Sequence, residues 1–262
     1  MKEMLKVKVF STRNEMGGEA ACNVSEVIHM LLKGKDEINM IFAAAPSQSD
    51  LLKALVADHS IPWERINAFH MDEYIGLEQD APQGFGNFLR MGIFEKVSFK
   101  NVFYLNGQAH NPIEECMRYS ALLERFPVDI VCMGIGENGH VAFNDPPVAD
   151  FNDPVSVKIV KLDQACRQQQ VNEKLFDSLH LVPTHAITLT IPSLMKAKYV
   201  FCIVPALNKA QAVYRTLNER ISEDCPATIL RTKEMAILYL DNESASLLST
   251  HMSESCNTRG TC

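Results

Sequence analysis

The chain has 262 residues, of which 47% are hydrophobic and 22% are charged, and its formal net charge is -7 at pH 7. This length and apolar content favour one large α/β domain over two small ones. Because the balance is acidic and the basic residues are scattered, we expect no nucleic-acid partner. No apolar stretch approaches the roughly 18 residues that span a bilayer, and residues 1–6 lack the apolar core of a signal peptide. We therefore expect no membrane partner and a cytoplasmic location.

Eight cysteines are spread along the chain without a C-x-x-C pair, and the spacing of a zinc finger is absent. Cys132 and Cys202 lie inside apolar runs, where a reduced cysteine behaves as a small hydrophobic residue. We therefore expect free thiols in a reducing compartment and no metal site.

Short apolar or β-branched runs alternate along the chain with runs of helical period. The predicted strands cover residues 6–10, 37–45, 65–71, 101–105, 128–133, 155–162, 185–191, 197–205 and 234–240. The predicted helices cover residues 14–33, 49–59, 112–125, 164–178 and 208–218. This alternation predicts an α/β fold with a largely parallel sheet and helices on both faces. We assign residues 1–248 to a single domain and predict a disordered or accessory polar tail over 249–262.

A glycine-rich turn follows the predicted strand at residues 128–133 and leads to His140 and then to Asp145. In an open α/β sheet, ligands bind at the loops that leave the carboxyl ends of the strands. Glycines such as Gly139 allow positive φ or a close approach to a ligand, and histidine normally titrates near neutral pH. The segment therefore predicts an acid/base histidine beside a ligand.

An acidic pair, Asp72 and Glu73, follows the apolar residues up to Met71. A carboxylate in a partly dry pocket has a raised pKa and can abstract a proton from a carbon next to a carbonyl. One of the two acids can be such a base. The alternative is a helix cap or a solvated loop acid, which is the commoner fate of an isolated acidic pair.

Two further strand-to-helix junctions suit an anion. In the first, Ser47, Gln48 and Ser49 stand at a helix start, where backbone amides and the helix dipole favour a phosphate. In the second, Lys209 lies in the first helical turn, where a cation is unfavourable unless an anion binds beside it. The alternative is that Ser47 and Asn208 are ordinary N-caps.

Several of these motifs occur in the order found in one enzyme family. They are Asp72-Glu73-Tyr74 with Gly76-Leu77, the Gly-x-Gly-x-x-Gly-His-x-x-Phe-Asn segment from Gly134 to Asn144, Leu162-Asp163 leading to Arg167, Val182-Pro183, and Lys209-Ala210. This ordered set resembles the glucosamine-6-phosphate deaminases, and the resemblance runs from about residue 8 to residue 248.

The resemblance implies a Rossmann-like α/β fold and conversion of glucosamine 6-phosphate to fructose 6-phosphate and ammonia in amino-sugar catabolism, with no cofactor. It implies that His140 opens the sugar ring, that Asp72 moves a proton between C2 and C1, and that Asp145 orients His140 or stabilises its positive charge. The phosphate would bind to the turn at 47–49 and to Lys209. Glu73 and Gly139 would also contact the sugar phosphate, and a homo-oligomer is left open.

The chain departs from the family pattern at several of these positions. Asn138, predicted to hold His140, stands where many members carry Asp, and Asp145 stands where many carry Glu. An amide can hold an imidazole but lacks the full charge that stabilises an imidazolium. The phosphate turn has alanines in place of glycines, and the family's phosphate-binding arginine corresponds to Lys174 or is replaced by Arg167. The motifs therefore predict the reaction type, and the altered phosphate contacts leave the identity of the substrate open.

Two alternative functions remain. A 6-phosphogluconolactonase has a related fold and a similar glycine turn, but that group continues Ala-Ser-Leu-Phe-Pro where this chain has Val-Ala-Phe-Asn-Asp at 141–145. A catalytically silent sugar-phosphate sensor is suggested by Asn138 and the altered turn, whereas retention of Asp72 and His140 argues against it. In some relatives the segment matching 148–154 binds the activator N-acetylglucosamine 6-phosphate. Here it has two acids and no arginine or serine, so we expect no such activation.

Overall fold

Ten β-strands and seven α-helices lie within the residues that the computed structural model describes, 5–172 and 174–248. The strands are β1 (Lys6–Phe10), β2 (Ile38–Phe42), β3 (Ile66–His70), β4 (Asp72–Tyr74), β5 (Asn101–Phe103), β6 (Ile130–Met133), β7 (Val157–Lys161), β8 (His185–Leu189), β9 (Tyr199–Val204) and β10 (Ala236–Asp241). The helices are α1 (Arg13–Leu32), α2 (Ser49–Ala57), α3 (Phe85–Leu89), α4 (Pro112–Arg125), α5 (Gln164–Asn172), α6 (Ile191–Met195) and α7 (Ala210–Asn218).

Seven of the strands form one parallel sheet in the order β1-β10-β9-β6-β2-β3-β5. Successive side chains of a strand point to opposite faces. Phe42 therefore joins the apolar cluster that contains buried residues of α1 and α2, whereas Ile41 joins the cluster that contains those of α4 and α7. Helices cover both faces of the sheet, which confirms the predicted α/β fold.

The chain changes direction across the sheet between β2 and β6. It runs from β2 outward to β3 and β5, and then returns to the other side of β2 to form β6 and β9. In a parallel sheet such a reversal opens a crevice at the carboxyl ends of the strands, because the loops on either side separate. The loops after β9, β6, β2 and β3 therefore meet at one edge.

Three strands form a separate antiparallel sheet in the order β4-β8-β7. The expectation that residues 155–162 and 185–191 belong to the largely parallel sheet was wrong for these two segments. Strand β7 contains exposed residues, as an antiparallel sheet with one side in water allows, whereas β2 and β3 are buried throughout, as is typical of a parallel sheet covered by helices.

Several short elements differ from the prediction. The helix predicted over 164–178 ends at Asn172, and Lys174 has a left-handed φ of 61°. Helix α6 begins where a strand was predicted to end, because the Thr190 side chain caps it and Pro192 lies in its first turn. Strand β4, helix α3 and a π-helix at Arg90–Phe94 are too short to show periodicity. The predicted tail over 249–262 lies outside the described residues, and the single domain stays a prediction.

Helix α1 packs closely against α2 through a glycine. A Cβ atom at Gly17 would lie 2.6 Å from the Asp50 Cβ and 2.9 Å from the Asp50 carbonyl carbon, whereas a Cβ at Gly18 would meet nothing within 4 Å. The two neighbouring glycines therefore have different roles. Gly17 allows the two helices to approach, and Gly18 only adds backbone freedom to the unfolded chain.

We expect Gly17→Ala to lower the free energy of unfolding by about 1 to 3 kcal/mol because the two helices must separate. Gly18→Ala, the matched control, should raise it by about 0.5 to 1 kcal/mol because alanine favours the helix. Urea unfolding followed by circular dichroism measures both. Equal effects of the two substitutions would contradict the packing described here.

Candidate active site

The carboxyl ends of four neighbouring strands surround a cavity of about 270 Å³. The loop after β2 contributes Ser47, the residues after β3 contribute Asp72, the loop after β6 contributes His140, and the loop after β9 contributes Lys209. These four residues were singled out in separate sequence motifs, and the fold brings them to one site.

The backbone at Asp72 is held by a buried histidine. Leu105 donates its backbone N–H to the Nε2 atom of His70 at 2.9 Å, so the Nδ1 atom carries the proton and donates to the Asp72 carbonyl at 3.0 Å. Burial lowers the pKa of His70 to about 4. The imidazole is therefore neutral near neutral pH and serves as a fixed hydrogen-bonded link, and it is not an acid/base group of the site.

The Asp72 side chain is buried at the cavity wall. Only 6% of the residue is exposed, and burial, followed by the charge of Glu73, raises the pKa of its carboxyl group well above the usual value. The Asp72 carboxyl group, unlike that of Glu73, receives no hydrogen bond from the described residues. A carboxyl group of this kind accepts a proton more readily than a solvated one, as a general base requires.

Glu73 points away from the cavity, because neighbouring residues of a strand face opposite sides. Its carboxylate accepts backbone N–H groups from Tyr74 at 2.9 Å, Phe85 at 3.0 Å and Gly86 at 2.8 Å. These bonds fix the segment between β4 and α3. The structure thus places the predicted substrate contact Glu73 in a structural position.

His140 belongs to a hydrogen-bonded network with Asn138 and Asp145. Its Nδ1 atom lies 2.8 Å from the Asn138 Oδ1 atom and 3.1 Å from the Asp145 Oδ1 atom. Asn138 also accepts the backbone N–H of His140 and donates its side-chain amide to Asp145 at 2.8 Å. Burial raises the pKa of Asp145, but the charge and hydrogen bonds of His140, with those of Asn138, bring it below the usual value. Asp145 is thus an ionised partner for an imidazolium.

The glycines of the turn make room for this network. A Cβ atom at Gly136 would lie 2.0 Å from the Cε1 atom of His140, so a side chain there would displace the imidazole. Gly139 has a φ of 88°, and a Cβ there would lie 2.5 Å from the Sγ atom of Cys225. Gly139 is not a lining residue of the cavity, and its predicted contact with substrate is better described as a backbone requirement of the turn.

Strand β8 is hydrogen-bonded to the segment that carries Asp145. The Thr188 hydroxyl accepts the Phe143 backbone N–H at 3.1 Å, and the Leu189 carbonyl accepts the Asn144 side-chain amide at 2.9 Å. The same two residues of β8 hold the other side of the site. Thr188 is paired with Asp72 in the antiparallel sheet, and Leu189 donates its backbone N–H to Met71 at 2.8 Å.

The predicted anion turn is only partly directed at the cavity. Ser47 lines it, but the Gln48 amide donates to the Ile203 carbonyl and the Ser47 hydroxyl, both at 3.1 Å, and Ser49 is exposed. Gln48 therefore joins the turn to β9, and neither Gln48 nor Ser49 is a lining residue. The cavity itself is lined on this side by Ser47 and by the buried Lys209.

The backbone before Lys209 is strained. Ala206 has a φ of 82° and a ψ of 151°, a region that essentially only glycine adopts. Its N–H donates to both carboxylate oxygens of Asp241, at 2.9 and 3.1 Å, which holds the residue in this conformation. Strain of this kind is concentrated at functional sites.

Two basic residues predicted to bind the phosphate do not reach the cavity. Arg167 donates to the backbone carbonyls of Leu179 at 2.6 Å and Val182 at 2.8 Å, and it braces the segment after α5. Lys174 is exposed, and neither residue lines the cavity. Helix α5 instead presents Gln170, whose side-chain oxygen accepts the Tyr74 hydroxyl at 2.8 Å.

Arg13, Gln169 and Gln170 add polar groups to the cavity and were not recognised in the sequence. Phe85 and Phe143, whose rings stack with centroids 5.5 Å apart, form an apolar wall. The run of glutamines in α5 was an available signal, and so was a cation at the start of α1, the same pattern that singled out Lys209. Among the described residues no cluster of three or more His, Cys, Asp or Glu side chains could hold a metal ion, and no helix is long and apolar enough to cross a membrane.

A family profile described as glucosamine-6-phosphate isomerases/6-phosphogluconolactonase matches residues 11–239. The chain belongs to this family. The family includes the deaminases that the ordered motifs resemble, so that resemblance is confirmed.

Two bacterial glucosamine-6-phosphate deaminases and several solved structures are similar to this protein over most of the chain. A glucosamine-6-phosphate deaminase of Listeria innocua is 32% identical over 92% of this chain and 100% of its own length, and one of Bacillus cereus is 34% identical over 94% and 90%. The solved structure of a monomeric glucosamine-6-phosphate deaminase superposes with a TM-score of 0.84 at 28% identity, covering 93% of this chain and 100% of that one. The 6-phosphogluconolactonase of Thermotoga maritima has a TM-score of 0.74 at 18% identity over 90% and 99%, which shows a shared fold.

Asp72 and Glu73 provide a test of the two carboxylate environments. Because the pKa of Asp72 is raised in the folded protein, ionising this group costs stability, and the loss grows as the pH rises from the unfolded-state pKa through the folded-state pKa. We expect Asp72→Asn to raise the free energy of unfolding by about 1 to 3 kcal/mol at pH 8, because it removes a buried charge and keeps the shape. The gain should shrink as the pH falls toward 4.

Glu73→Gln is the matched substitution at the next residue. It should lower the free energy of unfolding by about 1 to 3 kcal/mol, because the amide nitrogen would replace an oxygen that accepts a backbone N–H. Urea unfolding of both variants at several pH values measures the difference. A loss of stability in Asp72→Asn at pH 8, or a gain in Glu73→Gln, would contradict these assignments.

Proposed function

We propose that the protein is a cytoplasmic enzyme of amino-sugar catabolism that converts glucosamine 6-phosphate and water to fructose 6-phosphate and ammonia. The observation that carries the proposal is the common cavity of Asp72 and His140. One is a buried carboxyl group with a raised pKa, and the other is an imidazole held by an ionised partner. Ser47 and Lys209 lie in the same cavity and suit a phosphate.

His140 would open the sugar ring. Asp145 and Asn138 engage its Nδ1 atom, so the Nδ1 atom carries a proton and the Nε2 atom is left to exchange one with the substrate. Moving the proton of the C1 hydroxyl to the ring oxygen breaks the C1–O5 bond and produces the open-chain aldehyde. The charge of Asp145 stabilises the imidazolium that forms in this step.

Asp72 would move the proton that changes the aldose into a ketose. Its carboxylate takes the C2 proton and returns it to C1, while the C1 oxygen gains one proton and the C2 amine loses one. The C1 aldehyde thereby becomes a hydroxymethyl group, and C2 becomes the imine of fructose 6-phosphate. Water then adds to C2, and ammonia leaves as the ketone forms. The dry environment of Asp72 raises its basicity for the first transfer, and the same proton is available for the second.

Asn138 is compatible with this mechanism because Asp145 supplies the charge that the amide lacks. The Asp145 carboxylate reaches the imidazole at 3.1 Å although its side chain is one methylene shorter than glutamate. Asn138 donates to the same Asp145 oxygen at 2.8 Å, where a second carboxylate would be repelled. The two departures from the family pattern therefore compensate each other and favour an active enzyme over a silent sensor.

The direct assay supplies glucosamine 6-phosphate and follows ammonia and fructose 6-phosphate, with hydrolysis of 6-phosphogluconolactone measured in parallel. We expect deamination, and we expect His140→Gln to lower kcat about 100- to 10,000-fold because it removes the proton-transferring group. His110→Gln, at an exposed histidine outside the cavity, is the matched control and should leave kcat unchanged. Lactone hydrolysis without deamination would overturn the proposal in favour of the lactonase, and absence of both activities would favour the sensor.

A further inference from the structure

Arg13 is a cavity residue that no sequence motif identified. It is the first residue of α1, and its guanidinium extends across to the turn after β2. The Nη2 atom donates to the Pro46 carbonyl at 3.0 Å, and the Nε atom pairs with Asp50. Pro46 directly precedes Ser47, so these two bonds hold the guanidinium beside the residue that suits an anion.

The guanidinium retains donors for a ligand. Arginine has five N–H donors, and two of them are used by Asp50 and Pro46 within the described residues, which leaves three. Because the guanidinium is planar and held at two points, its remaining donors have a fixed direction. Such a preorganised fork matches the oxygens of a phosphate.

The position of Arg13 is unfavourable for the helix without an anion. A cation at the first residue of α1 is repelled by the positive end of the helix dipole. Asp50 pairs with Arg13 and offsets part of this cost. Arg13 also lines the same cavity as Lys209. Among the described lining residues these are the one arginine and the one lysine, and phosphate oxygens can accept hydrogen bonds from both side chains.

The turn itself supplies a reason for a second cation. Residues 43–45 are alanines, so the backbone cannot approach a phosphate as closely as glycines would allow, and the Gln48 amide is bound to Ile203. We propose that Arg13 binds the phosphate group of the sugar phosphate and replaces contacts that a glycine-rich turn would make. This proposal rests on the proposed function for its substrate, but its anion contact can be measured separately.

The test measures binding of inorganic phosphate by calorimetry and steady-state deamination in the wild type, Arg13→Gln and Arg13→Lys. We expect Arg13→Gln to weaken phosphate binding and to raise KM for glucosamine 6-phosphate about 10- to 100-fold, with kcat changed much less. Arg13→Lys keeps the charge without the fork and should be intermediate. With unphosphorylated glucosamine as the substrate, kcat/KM should be the same in all three proteins.

Arg90→Gln is the matched control, since its side chain is 38% exposed against 47% for Arg13 and does not line this cavity. It should leave phosphate binding unchanged. Unaltered phosphate binding in Arg13→Gln, or an equal loss in Arg90→Gln, would overturn the proposal, as would an equal loss with unphosphorylated glucosamine. If Arg13→Gln does not fold, Arg13→Lys decides by the same criteria. Phosphate binding that depends on Arg13 in a protein without deaminase activity would support the anion contact and refute the proposed reaction.

Discussion

Two residues of β8 join the two halves of the candidate active site. Thr188 is paired with Asp72 and accepts the Phe143 N–H, while Leu189 bonds to the backbone of Met71 and to the side chain of Asn144. The segment that carries Asp145 is therefore fixed relative to the carboxyl group of Asp72 by one short strand. The parallel sheet brings four loops to one edge. The small antiparallel sheet fixes the position of Asp72 relative to the loop that carries His140 and Asp145.

The three buried carboxyl groups of this region differ in the hydrogen bonds that they accept. Asp72 receives no hydrogen bond from the described residues and has a raised pKa. Glu73 is also buried with a raised pKa, but its three backbone donors commit it to structure. Asp145 is bound by His140 and Asn138, which lower its pKa despite burial. The proposed base, a structural acceptor and the partner of an imidazole are thus all carboxyl groups, and their hydrogen bonds and neighbouring charges set them apart.

Sequence patterns predicted the strands and helices whose periodicity and caps lie within the segment itself. Strand β1 and helix α4 lie within the predicted bounds, because period and caps are properties of neighbouring residues. The pairing of β8 with β4 and β7 is not local, and the donors to Glu73 come from Phe85 and Gly86 in another segment. Arg13 reaches the site through Asp50, which is 37 residues away in sequence. Motifs could identify Asp72 and His140, but contacts of this kind depend on the folded chain.

The pKa of the Asp72 carboxyl group is the most direct measure of this account. It can be determined by NMR titration of the protein with 13C-labelled aspartate carboxyl groups, with the Asp72→Asn variant used to assign the resonance. The structure predicts a midpoint well above the value of about 3.9 for a solvated aspartate, since burial dominates its environment. A midpoint at or below that value would mean that the Asp72 carboxyl group is solvated or paired with a cation. It would contradict the proposal that Asp72 is a buried general base.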